Sequence, residues 1–249
     1  MRELENINNF NPISLNELDK AELLNRIDTK YLINKNILPK ILESIQKQYF
    51  VLDINSTRIF NYNTIYYDTD SYMLYLFHHN GKLNRYKVRK REYKNNRLYF
   101  LEIKYKTNKG RTIKERKKLN SIDYELTEDE ILFLNKHIPI DSRCLKPKLT
   151  SQFKRITLVN NHFNERVTID YDLAFINCTE KINLENIAII ELKQDKSIKD
   201  SLLKILLSEN KMYPCSFSKY ACGNALINKQ IKTNNFKEKI QHLNKLQYA

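Results

Sequence analysis

The chain has 249 residues, enough for one large domain or two small ones, and it carries a formal net charge of +14. It contains 3 glycines and no GxxxxGK or GxGxxG segment, which excludes the glycine-rich phosphate loops of the Walker and Rossmann types. The 4 cysteines form no CxxC pair, and the sequence shows neither a signal-peptide-like start nor an apolar run of about 18 residues. The composition therefore predicts a cytoplasmic protein with reduced thiols and no membrane span.

Capping signals and hydrophobic periodicity predict alternating helices and strands. In the first half, the predicted strands are 26–33, 58–68, 84–93, 98–106 and 111–118, and the predicted helices are 14–25, 34–49, 69–81 and 127–137. In the second half, the predicted strands are 149–159, 165–173 and 187–193, and the predicted helices are 198–209, 217–229 and 236–246. The turn-like links KNNR and TNKG join the strands between 84 and 118, which predicts a meander of antiparallel hairpins.

The positive charge is concentrated in residues 82–118, which contain sixteen lysines and arginines against three acids. Tyrosine, valine, leucine and isoleucine residues are interleaved with these cations, so a disordered basic tail is not expected. A localised positive field of this kind predicts a polyanionic partner, such as a nucleotide, a phosphate polymer, nucleic acid or an anionic membrane.

Several strands place charged residues on one face, because side chains alternate between the two sides of a strand. Three strands show the pattern: Arg85, Lys87, Arg89 and Arg91 share a face, as do Phe100, Glu102, Lys104 and Lys106, and also Arg166, Thr168, Asp170 and Asp172. Any half-buried sheet shows a similar alternation, with its polar face in water. The strongly basic character of these faces favours the inverse arrangement, in which helices cover the apolar side and the charged side faces a lumen.

Cations that line a lumen repel one another, and a bound chain of phosphates would offset that repulsion. An eight-stranded barrel leaves an interior just wide enough for side chains or one small ligand. We therefore expect residues 1–249 to form a single α+β domain, built as an antiparallel β-barrel tunnel of about eight strands with peripheral helices.

Seven segments follow one another along the chain: RIDTKY, YYDTDSYMLYLFHHNGKLNRYKVRKREY, FLEIKYKTNKGRTIKER, LKPKLTSQFKRITL, ERVTIDYDLAF, IIELK and SFSKY. In this order they resemble a known family, the VTC domain of polyphosphate polymerases within the triphosphate tunnel (CYTH-like) superfamily. Each segment is weakly specific by itself, and the resemblance lies in their order and spacing over residues 26–237.

The resemblance implies a β-tunnel that binds ATP and polyphosphate and transfers the γ-phosphoryl group of ATP to the growing chain, with a divalent metal, Mn²⁺ or Mg²⁺. It implies eight phosphate ligands, at Lys30, Arg89, Arg91, Lys104, Lys114, Arg155, Arg166 and Lys219. It also implies that Glu191 in IIELK holds the metal. Four further cations on the charged faces are expected to contact substrate, namely Arg85, Lys87, Arg116 and Lys193.

Some residues depart from the family pattern or allow two interpretations. The first strand reads RIDTK instead of Glu-x-Glu-x-Lys, so two metal-binding glutamates are missing, and this disfavours simple triphosphate hydrolysis. Ser216 stands where a basic residue is expected before FSKY. Glu102 lies either close to the metal or in an ion pair with Lys104, and Lys154 would replace Arg155 if the strand register differed by one residue.

Two alternative functions remain open from the sequence. One is a tunnel triphosphatase that hydrolyses inorganic or nucleoside triphosphates. The other is a non-catalytic module that binds polyphosphate or nucleic acid. Nucleic acid is not the expected partner, because the charge lies at alternating strand positions and not on an exposed helix.

Overall fold

The computed structural model describes residues 4–21, 23, 26–198 and 201–248. Within these residues the strands are β1 (Asn11–Ile13), β2 (Arg26–Asn34), β3 (Tyr49–Leu52), β4 (Phe60–Asp68), β5 (Arg85–Tyr93), β6 (Leu98–Lys106), β7 (Thr112–Leu119), β8 (Lys146–Asn160), β9 (Glu165–Ile176) and β10 (Lys181–Asp195). The α-helices are α1 (Leu15–Leu18), α2 (Leu38–Ile45), α3 (Met73–His79), α4 (Glu128–His137), α5 (Leu202–Glu209), α6 (Lys219–Ile227) and α7 (Lys237–Gln247). None of these helices has the length and apolar character needed to cross a membrane.

All the strands belong to one sheet, so the predicted α+β class with an antiparallel sheet and peripheral helices is confirmed. Its main path runs β2-β10-β9-β8-β4-β5-β6-β7, with every neighbouring pair antiparallel. The short strand β3 pairs with β8, and β1 pairs in parallel with β3. That residues 1–249 form a single domain stays a prediction.

The two end strands, β2 and β7, are not hydrogen-bonded to each other in the described part of the chain, so the sheet is an open tunnel and not a closed barrel. The sheet still curls strongly. Arg26 and Lys30 of β2 line the same cavity as Thr112 and Ile113 of β7. The concave face therefore encloses a lumen that is open along the seam between the end strands.

Helices cover the convex face, as the alternation of side chains predicts. Val88, Leu101 and Ile103 pack against Leu134 of α4. Ile190 and Leu192 of β10 pack with α2 and α5 in a second cluster. Burying these apolar faces under helices leaves the intervening charged residues of the same strands on the concave side.

Helix α6 fills one end of the concave face with apolar side chains. Its residues Ala221 and Cys222 pack with Leu149 and Phe175 of the sheet. Gly223 permits this close approach, because a Cβ atom there would lie 2.6 Å from Phe175 Cδ1. The charged lumen occupies the remaining part of the concave face, and the N-terminus of α6 borders it.

The structure corrects several of the predicted elements. The predicted helix 14–25 ends at Leu18 as α1, and residues 22, 24 and 25 lie outside the described residues. The predicted helix 34–49 is limited to α2, preceded by a 3₁₀ turn, and its last residue begins β3. The strands β1 and β3 were not predicted. β8, β9 and β10 extend beyond their predicted ends.

The prediction that Asp172 shares a strand face with Asp170 is wrong, because a bulge interrupts the strand pairing there. The register between β8 and β9 shifts between Gln152 and Lys154, and Asp172 adopts a positive φ of 50°. Its carboxylate pairs with Lys35 at 2.6 Å and with Lys154 at 3.3 Å, alongside a separate cavity that does not include the tunnel residues. Asp172 therefore does not share the face of Asp170.

Candidate functional site

A cavity of about 1110 Å³ opens at one end of the concave face. Its described lining contains ten lysine and arginine side chains and one carboxylate, that of Asp28. The predicted residues Lys30, Arg85, Lys87 and Lys104 lie in this lining. The strands β2, β5 and β6 supply most of these cations, so the folded chain assembles one basic cavity from distant segments.

Glu191 lies in the tunnel between two lysines. It stands opposite Lys30 in the β2–β10 ladder. Its Oε2 is 3.3 Å from Lys30 Nζ, and its Oε1 accepts a hydrogen bond from Lys193 Nζ at 2.6 Å. Burial alone would raise the pKa of Glu191, but the positive charges of Lys193 and Lys30 outweigh it and hold this pKa well below its usual range. The carboxylate is therefore ionised, as a metal ligand must be.

Arg89, Arg91 and Glu102 form a second charged group on β5 and β6. Glu102 faces Arg89 across the ladder, and Arg89 Nε donates to Glu102 Oε2 at 2.6 Å. Arg91 Nη1 is 3.7 Å from the same oxygen. Burial raises the pKa of Glu102, but Arg89 and Arg91 outweigh it and lower this pKa. Of the two interpretations of Glu102, the ion pair with Lys104 is not the one formed, because the carboxylate pairs with Arg89 and Arg91 instead.

A third group joins Arg155 and Lys219 through Asp170, which the sequence analysis assigned no role. Arg155 stands opposite Asp170 in the β8–β9 ladder and donates to both of its oxygens, at 2.5 and 2.7 Å. Lys219 Nζ donates to the same carboxylate. Burial is offset by these two cations, which hold the pKa of Asp170 at about 2. Lys154 pairs with Asp172 outside the lumen, so the register prediction that places Arg155 inside agrees with the structure.

The buried Asp68 fixes the helix that carries Lys219. Its Oδ1 accepts a hydrogen bond from the Leu74 N–H at 2.8 Å, and its Oδ2 accepts one from the Tyr75 N–H at 2.9 Å, at the start of α3. The Tyr220 hydroxyl, on α6, donates to the same carboxylate. Because Tyr220 follows Lys219 directly, these contacts tie the position of Lys219 to β4 and α3.

Lys104 and Lys114 face each other across β6 and β7, and in the described part of the chain neither forms an ion pair with a carboxylate. Burial and then the charges of Lys114, Lys30 and Arg89 lower the pKa of Lys104 to about 8. The pKa of Lys114, on the exposed edge strand, is also lowered by partial burial and by Arg26. An anion in the lumen would relieve this repulsion.

Three of the cations predicted to contact substrate have other polar or aromatic partners. Lys87 Nζ donates to Ser218 Oγ at 2.8 Å, and Arg85 donates to the Lys82 carbonyl at 2.8 Å, both at the basic cavity. Arg116 lies over the Phe100 ring at 5.1 Å.

Arg166 stands opposite Lys193, but its Nη2 donates to the Leu18 carbonyl at 2.6 Å, so its guanidinium turns toward the end of α1. In this orientation, the guanidinium of Arg166 is engaged by the protein backbone and does not match the predicted role as a phosphate ligand. Ser216 lines the basic cavity.

The metal that the family resemblance implies would need carboxylate ligands in the tunnel. Among the described residues, no group of three or more histidines, cysteines and acids gathers in a metal-binding arrangement. Arg26 Nε also occupies Asp28 Oδ1 at 2.9 Å. Mg²⁺ is commonly held by one or two carboxylates together with substrate phosphates, and Glu191 can supply one such carboxylate.

The chain was compared with known sequences, solved structures and protein families. No curated protein sequence matches the chain. One similar solved structure is a Vibrio parahaemolyticus protein provisionally assigned as an adenylate cyclase, with 12% identity over 78% of this chain and 95% of that one and a TM-score of 0.47. Another is a Hippeastrum protein provisionally assigned as an adenylyl cyclase and described as having a dominant triphosphatase activity, with 12% identity, coverage of 80% and 95% and a TM-score of 0.47.

A Pyrococcus horikoshii protein matches with 13% identity over 87% of this chain and 98% of that one, at a TM-score of 0.39. The VTC domain profile matches residues 25–228, a span that includes every predicted phosphate ligand and Glu191. The chain therefore belongs to the VTC domain family.

Proposed function

We propose that this chain is an ATP-dependent polyphosphate polymerase, which transfers the γ-phosphoryl group of ATP to a growing polyphosphate chain in the basic tunnel. The observation that carries the proposal is the convergence of cations from β2, β5, β6, β7, β8 and α6 on one lumen, next to the ionised carboxylate of Glu191. Family membership supports a triphosphate as the substrate. The cytoplasm is the proposed location.

Phosphoryl transfer requires the protein mainly to position the phosphates and to stabilise charge on the transferred group. Arg89, Arg91 and Arg155 provide planar forks that can bind two phosphate oxygens at once, whereas Lys104 and Lys114 act as compact point charges. The accepting polyphosphate is already an anion, so no protein nucleophile is needed. Glu191 would hold Mn²⁺ or Mg²⁺ together with phosphate oxygens, and the bound metal supplies further charge neutralisation at those oxygens.

The first strand favours transfer over hydrolysis. Tunnel hydrolases of the wider superfamily use two glutamates there, and this chain has Arg26 and Asp28, which pair with each other at 2.9 Å. This observation supports a VTC-type polymerase with a single protein carboxylate at the metal.

A product assay tests the proposal. Wild-type protein with ATP and Mn²⁺ is expected to release ADP and form long phosphate chains. Lys114→Ala should lower this rate by about a hundredfold, a typical loss when one preorganised donor to transition-state charge is removed. Lys117→Ala is the matched control, because Lys117 lies on the same strand but pairs with Asp129 on the outer side. Orthophosphate as the sole phosphate product would contradict the proposal and indicate a tunnel triphosphatase.

A further inference from the structure

Carboxylates already engage several of the tunnel cations. Glu102 engages Arg89 and Arg91, and Asp170 engages Arg155 and Lys219. Neither acid is needed as a metal ligand in the proposed reaction. Both carboxylates lie where the phosphate oxygens of a substrate would have to bind if these cations are its ligands.

Asp170 shows the arrangement most clearly. Its side chain is 3% exposed, and its two oxygens take both Nε and Nη2 of Arg155. That fork is the same surface that a phosphate would use. A phosphate reaching Arg155 must therefore share the guanidinium with Asp170 or displace the carboxylate from it.

We propose that Glu102 and Asp170 are built-in counter-anions, which hold the cations of the empty tunnel in place and compete with polyphosphate for them. The proposal rests on the proposed function. Without these acids, Arg155 and Lys219 would be buried like charges with no partner, a costly arrangement. When the acids are present, each phosphate binds less tightly than it would to the cations alone, because it must replace an existing ion pair.

This competition suits a polymer that must move. A chain lengthened by one phosphate at a time has to shift along the tunnel, and very tight binding at each position would slow that shift. The carboxylates lower the affinity of each position while keeping its geometry ready. They are positioning residues, since they act through the arginines and lysines.

Asp170→Asn is the most direct test, because asparagine keeps the shape of the side chain and removes its charge. Inorganic tripolyphosphate is titrated by calorimetry without metal, so that no turnover occurs. The variant is expected to bind at least about tenfold more tightly than wild type, which corresponds to about 1.4 kcal/mol. Its melting temperature without ligand should fall, because the buried cations lose their partner. Glu102→Gln should shift both quantities in the same directions.

Asp172→Asn is the matched control. Asp172 lies two residues along the same strand and also bridges two lysines, Lys35 and Lys154, but outside the tunnel. Its loss removes the same charge and should leave tripolyphosphate affinity within about twofold of wild type, as expected for a distant solvent-screened site.

The outcomes separate the two proposals. A purely structural role for Asp170 predicts weaker or unchanged binding, and that result in a folded Asp170→Asn protein would overturn the inference while leaving the proposed function intact. If Asp170→Asn does not fold, Glu102→Gln decides by the same criterion. If wild-type protein does not bind tripolyphosphate at all, the proposed function fails, and the inference fails with it.

Discussion

In the tunnel, the pKa values of Lys104 and Lys219 are lowered to about 8. Burial is the largest cause of the lowering for both lysines, and neighbouring cations lower both pKa values further. For Lys219, the carboxylate of Asp170 partly raises the pKa again. These two side chains are therefore only partly charged near pH 8 when the tunnel is empty. A bound phosphate chain favours the protonated form and raises both pKa values.

This linkage predicts a pH-dependent affinity. Below about pH 8 the two lysines are already charged, and tripolyphosphate binds without taking up protons at these sites. Above pH 8 binding must protonate them, so the affinity should fall as the pH rises from 8 to 9.5. Calorimetry in two buffers of different ionisation enthalpy would show proton uptake near pH 8.5. Lys104→Arg, whose guanidinium stays charged, should flatten the profile, and an unchanged slope would contradict this explanation.

At the residue scale, strand parity was a good guide wherever a strand is regular. It placed Arg89, Lys104 and Glu191 on the concave side without any knowledge of the tertiary structure. It was wrong for Asp172, because the β8–β9 bulge changes the face and no sequence signal reveals the bulge. Asp170 received no role, because an acid beside basic strands is equally typical of a solvent-exposed ion pair.

At the scale of an element, α4 is anchored to the convex side of the sheet by a buried ion pair. Lys90 is on β5 and alternates with the tunnel arginines, so its side chain points away from the lumen. Its Nζ lies 2.9 Å from Glu130 Oε2 and donates to the carbonyls of Asp123 and Glu125. The same glutamate completes the capping box with Thr127 at the start of α4. One strand thus uses its basic residues for two different purposes.

Glu130→Ala should destabilise the protein strongly. It leaves the ammonium group of Lys90 buried without its carboxylate, which typically costs about 3–5 kcal/mol of unfolding free energy. Asp129→Ala, at the preceding position of the helix, removes an exposed pair with Lys117 and should cost less than about 1 kcal/mol. Urea unfolding of both variants measures the difference. Equal losses of unfolding free energy in the two variants would show that the buried ion pair stabilises the protein no more than the exposed one.

The elements that the sequence did not reveal are the short ones. β1 and β3 have 3 and 4 residues, too few for a period of two to stand out from chance. β1 pairs with β3, and β3 pairs with β8, because of tertiary packing, which intrinsic strand propensity does not predict. The long, strongly alternating strands β5 and β6 were placed to within a residue, because each has one face buried under helices.

At the scale of the whole molecule, the open seam between β2 and β7 exposes some of the tunnel cations to water. A closed barrel would surround its cations with protein on all sides. Here β7 is exposed along most of its length, so water reaches Lys114 and Arg116 in the empty state. The internal acids and this partial solvation together keep the basic lumen compatible with a folded protein. Chloride ions in solution can also screen the remaining repulsion, so ionic strength alone should stabilise the fold to some extent.

A specific polyanion should stabilise the protein far more than screening does. A ligand that binds only the folded state at about a hundred times its Kd adds about 2.7 kcal/mol, and for a chain of this length that raises Tm by about 5–10 °C. We therefore expect tripolyphosphate or polyphosphate to raise Tm by this amount, and sodium chloride at equal ionic strength to raise it by much less. Thermal unfolding followed by circular dichroism measures both. Lys114→Ala should reduce the shift caused by phosphate and leave the chloride effect unchanged, because only the former depends on a specific contact in the tunnel. Equal shifts with the two salts would mean that the lumen attracts anions by bulk charge alone and has no built phosphate site.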